Sequence, residues 1–233
     1  MKEEENSEDQ ELLSMIKNRS CLKRDVYENI IRQFEDLKSV LKEYAENLKA
    51  DIQGHDERIR VKYVEKSKAE VHLIVAGDIL VFQMHSNVFS FEPGHHIWQS
   101  SYVKENKNNA FVGTINIYNF LNDSFDYNRY NDLGYLIARL FINKEDHYFA
   151  EGKKELGYRF NDFVNSKMTK KNWVEIINTC LMYTLDFNLH VPPYNEVNMV
   201  TVGEIMEKGA SLQIKTGKRL GFQFSDESKG PIA

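Results

Sequence analysis

Cysteine is scarce, with two residues, Cys21 and Cys180, in a chain of 233. Neither belongs to a CxxC pair or sits beside a histidine. A disulfide framework needs more cysteines at repeated spacings, so the thiols point to a reducing compartment. Long apolar runs are missing as well. No stretch approaches the roughly 18 apolar residues of a membrane-spanning helix. The start, Met1-Lys2-Glu3-Glu4-Glu5-Asn6, is acidic where a secretory leader would be basic and then apolar. A cytoplasmic chain is expected.

Positive charge is not in excess. The 30 Lys and Arg residues face 35 Asp and Glu, and the net charge of −5 has a location: residues 1–11 hold six acids and only Lys2 as a base. The rest is formally neutral, which offers no long-range attraction to a polyanion, so no nucleic-acid partner is expected. Reaction signatures are missing too. Gly152-Lys153-Lys154 and Gly217-Lys218-Arg219 lack the loop and the hydroxyl residue of a P-loop, and no GxGxxG, GxSxG or HExxH occurs. No cofactor and no resident metal are expected.

What is present begins with periodicity. Tyr27, Ile30, Phe34, Leu37, Leu41, Tyr44 and Leu48 follow alternating spacings of three and four. This a/d seam predicts a helix that starts near an Asp25…Glu28 capping pair and stops at Gly54. A shorter helix from Ser7 or Glu8 to about Lys17 precedes it, behind an acidic leader read as a solvated tail. The seam needs a cover, since apolar area left in water costs roughly 25 cal/mol per Å². Two covers fit: the chain's own sheet, or a second copy or partner helix that makes residues 27–48 an interface.

After Gly54 the period falls to two, which predicts strands. Ile59–Tyr63 alternates, Ala69–Ala76 and Ile79–Phe91 flank a Gly77-Asp78 hairpin turn, and Phe111–Phe120 follows a polar loop. Gly134–Ile142 and His147–Glu151 pair across Asn143–Asp146, and Leu156–Phe163 reads as a further strand. Thr169–Phe187 is an amphipathic helix, a capping box Thr201…Glu204 opens another, and Leu220–Phe224 is strand-like. The fold class is α+β: a mostly antiparallel sheet of five to seven strands between a long N-terminal helix and a C-terminal helix. The expected organisation is an acidic leader and helical segment over 1–54, a globular domain over 55–209, and a partly disordered tail over 210–233.

A Gly77-Asp78 turn sets a register. It pairs Val75 with Leu80, Leu73 with Phe82 and Val71 with Met84, which leaves one face wholly apolar. The other face sets Glu70 against His85, His72 against Gln83 and Ile74 against Val81. Asn116 and Arg139, on the polar-leaning sides of later strands, extend it. Glu70, His72, Gln83, His85, Asn116 and Arg139 are therefore the candidate ligand-binding residues, because a few fixed polar groups within an apolar surround suit a small molecule.

Two further features carry chemistry. His95-His96 after Pro93-Gly94 resembles half a metal site, with His85 and Glu92 near enough in sequence to join it. The segment Tyr118–Tyr135 interleaves aromatic residues with Asn, Asp and Arg129, a composition that suits either a ligand platform or a loop folded on the core. The function expected is a cytoplasmic, non-catalytic regulatory or interaction module that binds a small ligand on one sheet face and self-associates through its N-terminal helix. The alternative is an acid–base or metal-assisted hydrolase built on the His and Glu residues, histidine being the side chain that titrates near neutrality.

Overall fold

The computed structural model describes residues 2–187, 191 and 193–211. Helix α1 (Lys2–Met15) runs through a π turn at Ile16–Ser20 into α2 (Cys21–Asp51). Six strands follow: β1 (Val61–Ser67), β2 (Glu70–Val75), β3 (Asp78–Met84), β4 (Val112–Leu121), β5 (Tyr135–Asn143) and β6 (Tyr148–Gly152). Short helices α3 (Ser101–Glu105), α4 (Asn122–Asp126) and α5 (Glu155–Arg159) decorate the connections. Helix α6 (Lys170–Leu185) is followed by α7 (Tyr194–Val197) and α8 (Val202–Ser211). The fold is α+β, with one antiparallel sheet whose spatial order β1-β2-β3-β4-β5-β6 is the chain order. No described helix is long and apolar enough to cross a membrane.

The predicted seam is met by the chain's own sheet. Ile30, Phe34, Leu37 and Leu41 are fully buried, in one core with Leu73, Phe82, Ile115, Leu140 and Trp173. Tyr27, Tyr44 and Leu48 pack at its margin. Within the chain, the sheet is therefore the cover of this part of the 27–48 seam. Val26, Gln33 and Val40 are buried as well. That widens the stripe beyond a coiled-coil seam to the broader face a helix needs against a sheet. At Gly113 the two layers are in tight contact, because a Cβ there would lie 2.6 Å from Ile30 Cβ.

The capping pair at Asp25 is not used. Residues 2–20 contain neither glycine nor proline, so backbone N–H groups find helical partners upstream and α2 needs no cap of its own. The acidic leader is accordingly helical rather than a tail. At the other end α2 stops where expected, with Gly54 in the left-handed region at φ 82°. Thr169 caps α6 through a reciprocal pair with Asn172, and Thr201 and Glu204 cap α8 in the same way. The strand expected over Leu156–Phe163 is instead helix α5 and a loop. The stretch Leu220–Phe224 and most of the 210–233 tail lie outside the described residues.

The β2–β3 turn is displaced from its predicted position. Val75 pairs with Asp78, Leu73 with Leu80 and Val71 with Phe82, so the turn residues are Ala76 and Gly77, with Ala76 at φ 53°. The displacement is two residues along β3, and an even shift preserves which side chains share a face. Val71, Leu73, Val75, Leu80, Phe82 and Met84 all lie in the core as predicted. Their cross-strand partners on the outer face change.

Candidate functional site

The outer face of the sheet follows from register. Ser67 opposes Glu70, Glu70 opposes Gln83, Gln83 opposes Asn116, Asn116 opposes Arg139, and Arg139 opposes Glu151. One polar row therefore crosses all six strands. Four of the six candidate residues stand in it: Glu70, Gln83, Asn116 and Arg139. The predicted Glu70–His85 and His72–Gln83 pairs do not form, because the displaced turn sets Glu70 against Gln83 and His72 against Val81. His85 lies just beyond β3, where its backbone N–H donates to Thr114 O at 2.9 Å.

Covers at both ends divide this face. At one end, Phe125 of α4 meets His72 and Phe120 edge-on, each with ring centroids 5.4 Å apart. His72 is 2% exposed, its Nε2 is 2.7 Å from Glu70 Oε1, and its Nδ1 has no partner. Burial lowers its pKa below the ordinary histidine value, and the Glu70 hydrogen bond only partly opposes this. The neutral imidazole donates from Nε2. The Tyr-rich segment belongs to this cover, with Tyr127 and Tyr130 pointing to solvent.

At the other end, the segment between β3 and β4 folds back over β4–β6. Ile97, Val103, Phe141, Phe149 and Phe163 form a second apolar cluster beneath it, with Phe91 and Trp98 at its edge. Between this cover and the sheet lies a cleft of about 700 Å³. Its floor is Thr114, Asn116, Arg139, Phe141 and Glu151, and its wall runs from His85 through Phe89 and Phe91 to His95. The candidates therefore separate into two groups. Asn116, Arg139 and His85 line the cleft, whereas Glu70, His72 and Gln83 form a hydrogen-bonded set beside it.

The electrostatics of the floor centre on Glu151. Its Oε2 accepts from Arg139 at 2.6 Å and its Oε1 lies 3.8 Å from His95 Nε2. The Arg139 guanidinium also sits over the Phe141 ring, 5.0 Å from its centroid. Burial and the neighbouring His96 push the His95 pKa down, against the pull of Glu151. His95 Nδ1 is occupied by the backbone N–H of Ile97. Among the described residues, no three His, Cys, Asp or Glu side chains converge as a metal's ligands, so the His95-His96 pair stays half a site.

Two floor atoms are unpartnered. Thr114 Oγ1 and Asn116 Oδ1 are buried without a hydrogen bond, and Thr114 is 4% exposed. A buried polar atom without a partner costs about 1–3 kcal/mol. A second hollow, of about 880 Å³, lies where the C-terminal end of α2 faces β1 and α4. Its buried amide, Asn122, already donates to Asp126 at 2.7 Å, so it offers no comparable vacant hydrogen-bonding group.

Glu151 and Phe141 were not candidates from sequence. Counting outward from a turn at Asn143–Asp146 sets Arg139 against Ala150 and puts Glu151 on the other face; the observed ladder is slipped by one residue, and that slip brings Glu151 opposite Arg139. No family model, curated protein or solved structure matches this chain.

Proposed function

We propose that the protein is a non-catalytic, cytoplasmic regulatory or interaction module that binds a small ligand in the cleft over Thr114, Asn116 and Arg139. The observation that carries this reading is Thr114 Oγ1, buried at the cleft floor with no hydrogen-bond partner. Such an atom lowers stability unless something completes it. The volume suits a small molecule, and aromatic walls around a few oriented polar groups are what recognition of one requires. The exposed Cys21 and buried Cys180, both free thiols, agree with a reducing compartment.

The hydrolase alternative finds less support in the same cleft. Glu151 Oε2 is already engaged by the Arg139 guanidinium at 2.6 Å, so that oxygen is not free to meet a substrate. His95 has one ring nitrogen committed to the backbone of Ile97. Self-association remains part of the proposal. Leu12, Leu13, Met15 and Ile16 are each more than two-fifths exposed on the N-terminal helical arm, where a second copy can meet them.

Thr114→Val tests the ligand reading. The substitution removes the orphaned hydroxyl while keeping the side-chain shape, so the free protein should be as stable as wild type or slightly more so. A thermal-shift screen with nucleotides, nucleosides, sugars and amino acids should give a stabilising ligand for wild type whose effect shrinks in the variant. Loss of stability in Thr114→Val, together with no hit across the library, would overturn the proposal.

A further inference from the structure

We infer that the cleft selects an uncharged ring bearing several O–H or N–H donors beside an apolar face, such as a nucleoside or a sugar, and discriminates against its phosphorylated counterpart. This rests on the ligand-binding reading above and adds the chemical class. Three features of the lining carry it. The first is hydrogen-bond polarity. Asn116 Oδ1 and Thr114 Oγ1 are the unpartnered floor atoms, and an amide oxygen can only accept. The Asn116 oxygen is completed only by a donor, which a fully ionised phosphate or carboxylate lacks, whereas the Thr114 hydroxyl can accept or donate.

The second feature is charge. Arg139 is the cation of the lining, and its Nε and one terminal nitrogen are already spent on Glu151 Oε2 at 3.2 and 2.6 Å. Glu92 adds a second carboxylate at the rim. With His95 held towards its neutral form by burial and by His96, the lining carries more negative than positive charge. An anion entering the cleft therefore meets two carboxylates against a single guanidinium that already shares its charge with Glu151.

The third is shape. Phe89 and Phe91 provide an apolar wall facing the polar floor, which favours a flat or ring-shaped molecule with one greasy side. A linear amino acid or short dicarboxylate would leave that wall uncovered.

Matched probes distinguish the possibilities: adenosine against adenosine monophosphate, and glucose against glucose 6-phosphate, each titrated by calorimetry into the full chain. One uncharged member should bind, and its phosphorylated partner should bind about tenfold more weakly at low salt. The gap should narrow as salt is raised, since screening weakens rim repulsion. Glu92→Gln, a surface change that leaves the fold intact, should also narrow it. Asn116→Leu should abolish binding of the uncharged probe, with circular dichroism reporting the fold. Equal or tighter binding of a phosphorylated member overturns the class while leaving the cleft as the site, provided Asn116→Leu removes that binding too. Absence of binding by both uncharged probes overturns the class, and the broader screen with Thr114→Val then decides the cleft on its own. The adenosine and glucose arms tell the base from the sugar.

Discussion

Gln33 donates its side-chain amide to Asp146 at 2.7 Å, joining the middle of α2 to the β5–β6 turn across 113 residues of chain. The same amide group accepts from the indole N–H of buried Trp173 at 3.3 Å. Asp146 Oδ1 also takes Asn29 and Arg32. One partly exposed carboxylate thus holds helix, turn and, through buried Gln33, α6 in a single polar chain.

Replacing that carboxylate should be costly. Asp146→Ala leaves the buried Gln33 amide without its acceptor and should destabilise by about 2–3 kcal/mol in urea titrations. Asp146→Asn should lose less, because its amide oxygen still accepts and asparagine tolerates the left-handed backbone found here at φ 68°. Equal losses in both would mean that charge, not hydrogen bonding, is what matters.

Leu37→Ala separates the two covers that the α2 seam admits. With Leu37 in the intramolecular core at 0% exposure, the truncation should cost about 2–5 kcal/mol and leave the mass in light scattering unchanged. A change in mass with unaltered stability would make residues 27–48 an interface. The complementary triple substitution Leu12→Ser, Leu13→Ser, Ile16→Ser should change self-association and leave stability near wild type.

Gly113→Ala should destabilise by about 1–3 kcal/mol through overpacking against Ile30. Combining it with Ile30→Ala should cost less than the sum of the two single changes, since the smaller residue makes room for the methyl group. A strictly additive cycle would show that helix and strand do not approach so closely.

Acid sensitivity should trace in part to His72. An ordinary histidine titrates near 6.5, and burial lowers the folded value. The unfolded chain therefore takes the proton first, so stability from this group is full above pH 6.5 and is lost as pH falls through that value towards the folded one. His95, also lowered by burial, adds in the same sense. His72→Gln keeps a donor for Glu70 and removes the titration. Its urea midpoint should fall less than that of wild type between about pH 7.5 and 5.5.

The layers of this molecule were legible in sequence where polarity repeats. Alternation exposed the start of β1, β-branched and aromatic runs between turn signals exposed the later strands, and the three-and-four spacing exposed α2. These signals report which side chains leave water, and burial drives the fold. Pairing was less legible. Glycine at position 77 marks the turn without saying which of its neighbours shares it, and Ala76 accepts a left-handed backbone that local preference disfavours. Because the resulting shift is even, it altered the partners of Glu70 and His72 while leaving every face intact. The cleft was half legible for a related reason. Asn116, Arg139 and His85 were visible as polar residues on apolar strands, but the roof from Phe89 to His95 has no period, and its fold depends on Phe141 and Phe149 beneath it.

The strand order has a consequence for how the chain acquires its structure. Every ladder joins strands adjacent in sequence, so the sheet can be laid down strand by strand as synthesis proceeds, with the long β3–β4 connection as its largest loop closure. The greasy side of α2 is made before any of it, and Trp173 and its neighbours on α6 arrive only after the last strand. A nascent polypeptide stalled short of residue 170 should therefore present an unsealed layer and engage a chaperone that a finished one ignores.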